Sequence, residues 1–120
     1  MALKKTVSKL LNVSCADAMQ ALRTEEFAKL NDTTFLEEAK TASGIEFRYV
    51  RQTTAMRYGM NFFIRVYPVT ESSSNVELTL QSRKVTVLFY PASFVNPLAD
   101  RVFTSIEILS KDGKSTKKTL

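Results

Sequence analysis

Three features of the sequence predict an α+β fold: an antiparallel β-meander, short N-terminal helices, and a long C-terminal helix packed on the sheet. From Ile45 onward, large apolar residues recur at every second position, the period of a half-buried strand. Before that point, Ser14 and Thr24 stand where short helices would begin. After the strands, Leu98, Val102, Phe103, Ile106 and Leu109 share one face at helical spacing. Helices, then consecutive strands, then one long helix make an α+β domain with a single core.

The first eleven residues fit two patterns. Leu3, Val7, Leu10 and Leu11 make a helical stripe, while Thr6-Val7 and the order of the later elements favour a strand. Ser14 with Asp17 three residues on has the spacing of a helix N-terminus, and Ala16, Met19, Ala21 and Leu22 follow. A second helical turn runs from Thr24 to Leu30. Thr34 and Glu37 repeat the capping spacing and predict a helix over about residues 35–43, with Gly44 as its left-handed C-terminal cap. Ile45, Phe47 and Tyr49 then alternate with Glu46 and Arg48. Tyr58, Met60, Phe62, Ile64 and Val66 alternate with Gly59, Asn61, Phe63, Arg65 and Tyr67, and bulk on both faces predicts a central strand that ends at Pro68. The polar stretch 70–75 reads as a turn. Val76, Leu78 and Leu80 lead towards Val85, Val87 and Phe89, and the change of parity predicts a bulge near residues 81–84. Asn96-Pro97 is expected to open the last helix, since proline's missing N–H is harmless at the first helical position. Residues 1–109 form the expected domain, and residues 110–120 an expected flexible basic tail.

Composition narrows the chemistry. At 120 residues with 44% hydrophobic and 24% charged residues, the chain has the balance of one globular domain. It contains no histidine and a single cysteine, Cys15. Zinc sites built from Cys and His, an internal disulfide, and Ser-His-Asp or Cys-His catalysis are therefore excluded. No metal site and no cofactor is expected. The net charge of +5 comes from the ends: residues 1–9 and residues 110–120 carry +3 each, and the body between them −1. Lys111, Lys114, Lys117 and Lys118 are the candidates for contact with RNA or another anionic surface. Lys9 interrupts the apolar stretch at the N-terminus and Asn12 stands three residues before Cys15, so neither a secretion signal nor lipidation is expected. No transmembrane segment is expected, and the expected location is the cytoplasm.

No glycine-rich phosphate cradle can be written from Gly44, Gly59 and Gly113. The pairs Glu25-Glu26 and Glu37-Glu38, read as helical, diverge by about 100° and cannot converge on one atom. Glu46 and Glu77 fall at polar strand positions, with nothing in the sequence to pair them. The stretch from Phe47 to Tyr67 interleaves aromatics with Arg48, Arg51, Arg57 and Arg65, the composition of a single-stranded nucleic-acid platform. The same composition also fits a sheet with aromatics inside and arginines outside.

The order of elements, the turn Val69-Thr70-Glu71-Ser72-Ser73-Ser74-Asn75-Val76-Glu77-Leu78 and the helix opening Asn96-Pro97-Leu98-Ala99-Asp100-Arg101 resemble the START-like superfamily of helix-grip, polyketide cyclase and lipid-transfer proteins. The resemblance spans most of residues 5–109, with about five strands where that superfamily usually has more. It implies an apolar pocket between sheet and long helix, with Phe47, Tyr49, Met60, Phe62 and Phe103 as candidate ligand-binding residues. The same side chains would equally fill a solid core. The leading expectation is a non-catalytic module for an apolar small molecule or lipid. An RNA-binding or ribonucleoprotein-associated protein and a protein-interaction subunit, including a homodimer, are the alternatives; an enzyme is the least expected.

Overall fold

A computed structural model of the chain describes residues 4–42, 44–52, 59–82 and 92–119, with residues 82, 92–94 and 111–119 as backbone only. The elements in order are β1 (Lys4–Leu11), α1 (Cys15–Leu22), α2 (Glu25–Leu30), β2 (Thr34–Thr41), β3 (Gly44–Arg51), β4 (Met60–Thr70), β5 (Ser73–Ser82) and α3 (Ala92–Thr119). The strands form one sheet in the order β1-β5-β4-β3-β2, with every pairing antiparallel. β4 is central, as its bulk on both faces predicts.

Local chemistry accounts for most of these elements. The Ser14 hydroxyl accepts from the Asp17 N–H at 3.1 Å, and Thr24 caps α2 through the Phe27 N–H at 3.2 Å. Each cap satisfies one backbone donor that the first helical turn leaves open. The expected helix over residues 35–43 is instead strand β2. Leu36, Glu37, Glu38 and Ala39 are good helix formers, but the register from Thr34 opposite Val50 to Thr41 opposite Gly44 covers the backbone of β3. That long-range pairing outweighs a weak local preference. Gly44, at φ +127°, serves a tight hairpin rather than a helix cap.

Two further boundaries differ from expectation. Pro68 does not end β4; the strand continues to Thr70 through a register shift between Pro68 and Thr70, where a residue without an N–H fits. α3 begins at Ala92, so Asn96 and Pro97 lie inside the helix rather than at its start. Its backbone continues as helix to Thr119, through the basic segment. Val85, Val87, Phe89 and Arg57-Tyr58 lie outside the described residues, as do residues 83 and 84 of the bulge expected near residues 81–84.

Strand alternation sorts the side chains onto two faces. Val7, Leu78, Ile64 and Phe47 stand in one cross-strand row, and Leu80, Phe62 and Tyr49 in the next. All of these but the half-buried Val7 are buried with Val95, Ala99, Val102, Phe103 and Ile106 of α3 and with Ala18, Ala21, Leu22 and Phe27 of α1 and α2. Hydrogen bonds fasten the layers. Asn31, at the C-terminal cap of α2, donates to Ser105 of α3 at 3.2 Å, and the buried Ser74 of β5 donates to the Val13 carbonyl at 2.8 Å.

Candidate functional site

The candidate site is the apolar layer between the sheet and α3. Phe47 and Tyr49 come from β3, Met60 and Phe62 from β4 and Phe103 from α3, and all five are at most 2% exposed. In register Tyr49 faces Phe62 directly, and the next inner-face pair is Arg51 with Met60. The structure therefore brings the five into one continuous core, together with Ile64, Leu78 and Leu80, to which alternation gives equal standing, and Val102 and Ile106, to which helical spacing does.

Tyr49 is the polar point of this layer. Its hydroxyl donates to the Leu22 carbonyl at the end of α1, and its ring packs edge-on against Phe35 and tilted against Phe27. Burial first, and the nearby Glu38 charge second, push its phenol well above the ordinary tyrosine range. The group is therefore a neutral donor at neutral pH.

The rim over Phe47 is charged. The Arg23 guanidinium lies 5.6 Å from the Phe47 ring centre, and two of its nitrogens donate to the Glu38 carboxylate at 2.6 and 3.3 Å. Arg51, in the same alternation as Phe47 and Tyr49, is itself buried at the end of β3.

The outer face is organised differently. Glu46 is only 5% exposed, and its two carboxylate oxygens receive Arg48 Nε at 2.8 Å and Arg65 Nη2 at 2.6 Å. Arg48 also reaches Glu37, and Arg65 reaches Glu77. Burial alone would raise the Glu46 carboxyl; hydrogen bonds from Arg48 and Arg65 outweigh it and hold the group below the usual carboxylate range. Glu46, Arg48, Arg65 and Glu77 line an open groove of about 440 Å³ with Lys4, Phe63 and Thr79.

This arrangement corrects two expectations. Glu46 and Glu77 do have partners, supplied by neighbouring strands. Glu37 and Glu38 belong to a strand, one paired with Arg48 on the outer face and the other with Arg23 at the inner rim. The interleaved arginines and aromatics divide between the two faces: Phe47, Tyr49, Phe62 and Arg51 lie on the inner one, and Phe63, Tyr67, Arg48 and Arg65 on the outer one. Arg48 and Arg65 are engaged there by carboxylates. The side chains of Lys111, Lys114, Lys117 and Lys118 lie outside the description.

Among the described residues, no group of three or more acidic, Cys or His side chains could hold a metal ion. No helix among them is long and apolar enough to cross a membrane.

Comparison with solved structures recognises this geometry. The Zhui aromatase/cyclase from Streptomyces sp. R1128 superposes with a TM-score of 0.61 over 92% of this chain and 94% of its own, at 10% identity. Ara h 8.0201 gives 0.60 over 93% and 99%, at 9% identity. The chain has a START-like, helix-grip fold. A protein of Rhizobium leguminosarum gives a TM-score of 0.55 over 93% of this chain and 96% of its own, at 7% identity. No protein-family description and no curated protein matches the sequence. The helix-grip likeness is thus one of backbone architecture.

Proposed function

We propose that this helix-grip chain is a non-catalytic binding module that holds an apolar small molecule or lipid between the sheet and α3. Phe47, Tyr49, Met60, Phe62 and Phe103 would contact the ligand. The observation that supports this reading best is the separation of the two faces: the five candidates lie buried together in an apolar layer, and the ionised groups of β4 and β5 lie on the other side. Each CH₂ of a ligand taken from water into that layer contributes about 0.8 kcal/mol. Met60 is unbranched and can repack around a guest. The Arg23–Glu38 rim pair is solvent-exposed and worth about 0–1 kcal/mol, so lifting Arg23 from Phe47 costs little by comparison. The Tyr49 hydroxyl, committed to Leu22, fixes the ring rather than reacting.

The test is a titration with the fluorescent apolar probe 8-anilinonaphthalene-1-sulfonate, on the native chain and on Ala99→Leu. Ala99 is buried on the face of α3 that meets the sheet, where a larger side chain competes with a guest. The expected result is saturable binding to the folded protein, severalfold weaker in the variant, with little change in melting temperature. A solid core would instead show no saturable binding, and the overpacked variant would lose about 1–3 kcal/mol of stability.

A further inference from the structure

β2 ends the sheet among the described residues, and its chemistry differs from that of the opposite end. β1 presents Lys4, Lys5 and Lys9, and lysine on an edge strand discourages pairing with another chain. β2 carries Glu37, Glu38 and Lys40, and six of its eight residues are exposed, with Ala39 and Thr41 half-buried. The bulge between Phe35 and Glu37 leaves residues 37–41 as its regular stretch.

That stretch is self-complementary in one register. Two copies of a strand that extend one sheet about a two-fold axis must keep matching faces, so the axis passes through a residue and pairs others at equal distances on either side. An axis at Glu37, Glu38 or Lys40 sets that residue against its own like charge. An axis at Ala39 uses all five residues. It places Glu38 opposite the partner's Lys40 and Lys40 opposite the partner's Glu38, with Glu37 facing the partner's Thr41. The small Ala39 side chains then meet at the centre, where cross-strand Cβ atoms come within about 4.5–5.5 Å.

The geometry points to a homodimer in which the β2 strands of two copies pair antiparallel about an axis through Ala39, joining two five-stranded sheets into one. Glu38 already holds Arg23 with both oxygens, and a carboxylate has about four lone-pair sites, so it accepts the partner's lysine in addition. Leu36, 55% exposed, and the exposed Ala42 fall at matching distances from the axis. The pairing lends both backbones the hydrogen-bond partners an edge strand lacks. Occupancy of the apolar layer is not required for it.

Analytical ultracentrifugation over a concentration series tests the pairing. The native chain is expected to pass reversibly from 13.5 kDa towards twice that mass. Lys40→Glu sets Glu38 against glutamate at both positions and should weaken the dimer by about tenfold or more. Glu38→Lys sets lysine against Lys40 with the same result. Mixed together, the two variants restore both unlike pairs and should form a heterodimer, with circular dichroism confirming that each is folded. A native chain that stays at 13.5 kDa overturns the proposal. A Lys40→Glu chain that dimerises as tightly as the native one does so too, as do two folded variants that ignore each other.

Discussion

The two faces of one sheet solve the problem of burial in opposite ways. On the inner face, Phe47, Phe62, Ile64 and Leu78 are buried because they are apolar, and they meet an equally apolar face of α3. On the outer face, Glu46 is nearly as buried while ionised, because two arginines saturate it. The inner layer is held by non-directional forces and can exchange one apolar neighbour for another. The outer network is directional, and a bound anion would have to compete with carboxylates already seated on Arg48 and Arg65. The difference is why the proposed function places an apolar guest on the inner face and leaves the outer one a structural role.

The sharpest way to break this contrast is to truncate each face in turn. Phe62→Ala, at the centre of the inner layer, is expected to cost about 3–5 kcal/mol in denaturant unfolding. A much smaller loss would mean that the layer is loosely packed. Glu46→Gln on the outer face should cost less, about 1–2 kcal/mol, because its arginine partners are each roughly one-third exposed and the lost charge-assisted bonds are partly screened. It should leave binding of an apolar probe unchanged.

Acid sharpens the same comparison with a smaller effect. Glu46 has a folded-state pKa below its unfolded value of about 4.3. Its contribution is present above that pH and lost as pH falls through the folded value. Native stability should therefore fall more steeply below about pH 4 than that of Glu46→Gln. Parallel acid titrations of the two proteins would remove Glu46 from the account.

The inner face was more legible in the sequence than the outer one, for a physical reason. Alternation alone puts Phe47, Tyr49, Met60 and Phe62 on buried faces, and helical spacing does the same for Phe103. Saturation of Glu46 depends on register: Arg65 reaches it only because β3 and β4 pair with Glu46 opposite Arg65. No local pattern contains that pairing. The helix that the sequence predicts over about residues 35–43 gives way to β2 for the same reason, since the capping spacing of Thr34 and Glu37 is real and the backbone of β3 overrides it. Asn96-Pro97 misled for another reason. A proline near a helix start is a good signal of the helix but a poor one of its first residue. Tyr49 was legible as a residue of the inner face, whereas its bond to Leu22 joins residues 27 apart in the chain and was not.

Native mass spectrometry of protein purified from its source, after nuclease treatment, tests the central claim most directly. The account predicts a small apolar adduct carried by the folded chain and released when it is denatured. A chain that emerges bare, at 13.5 kDa or a multiple of it, and takes up no apolar probe would contradict it.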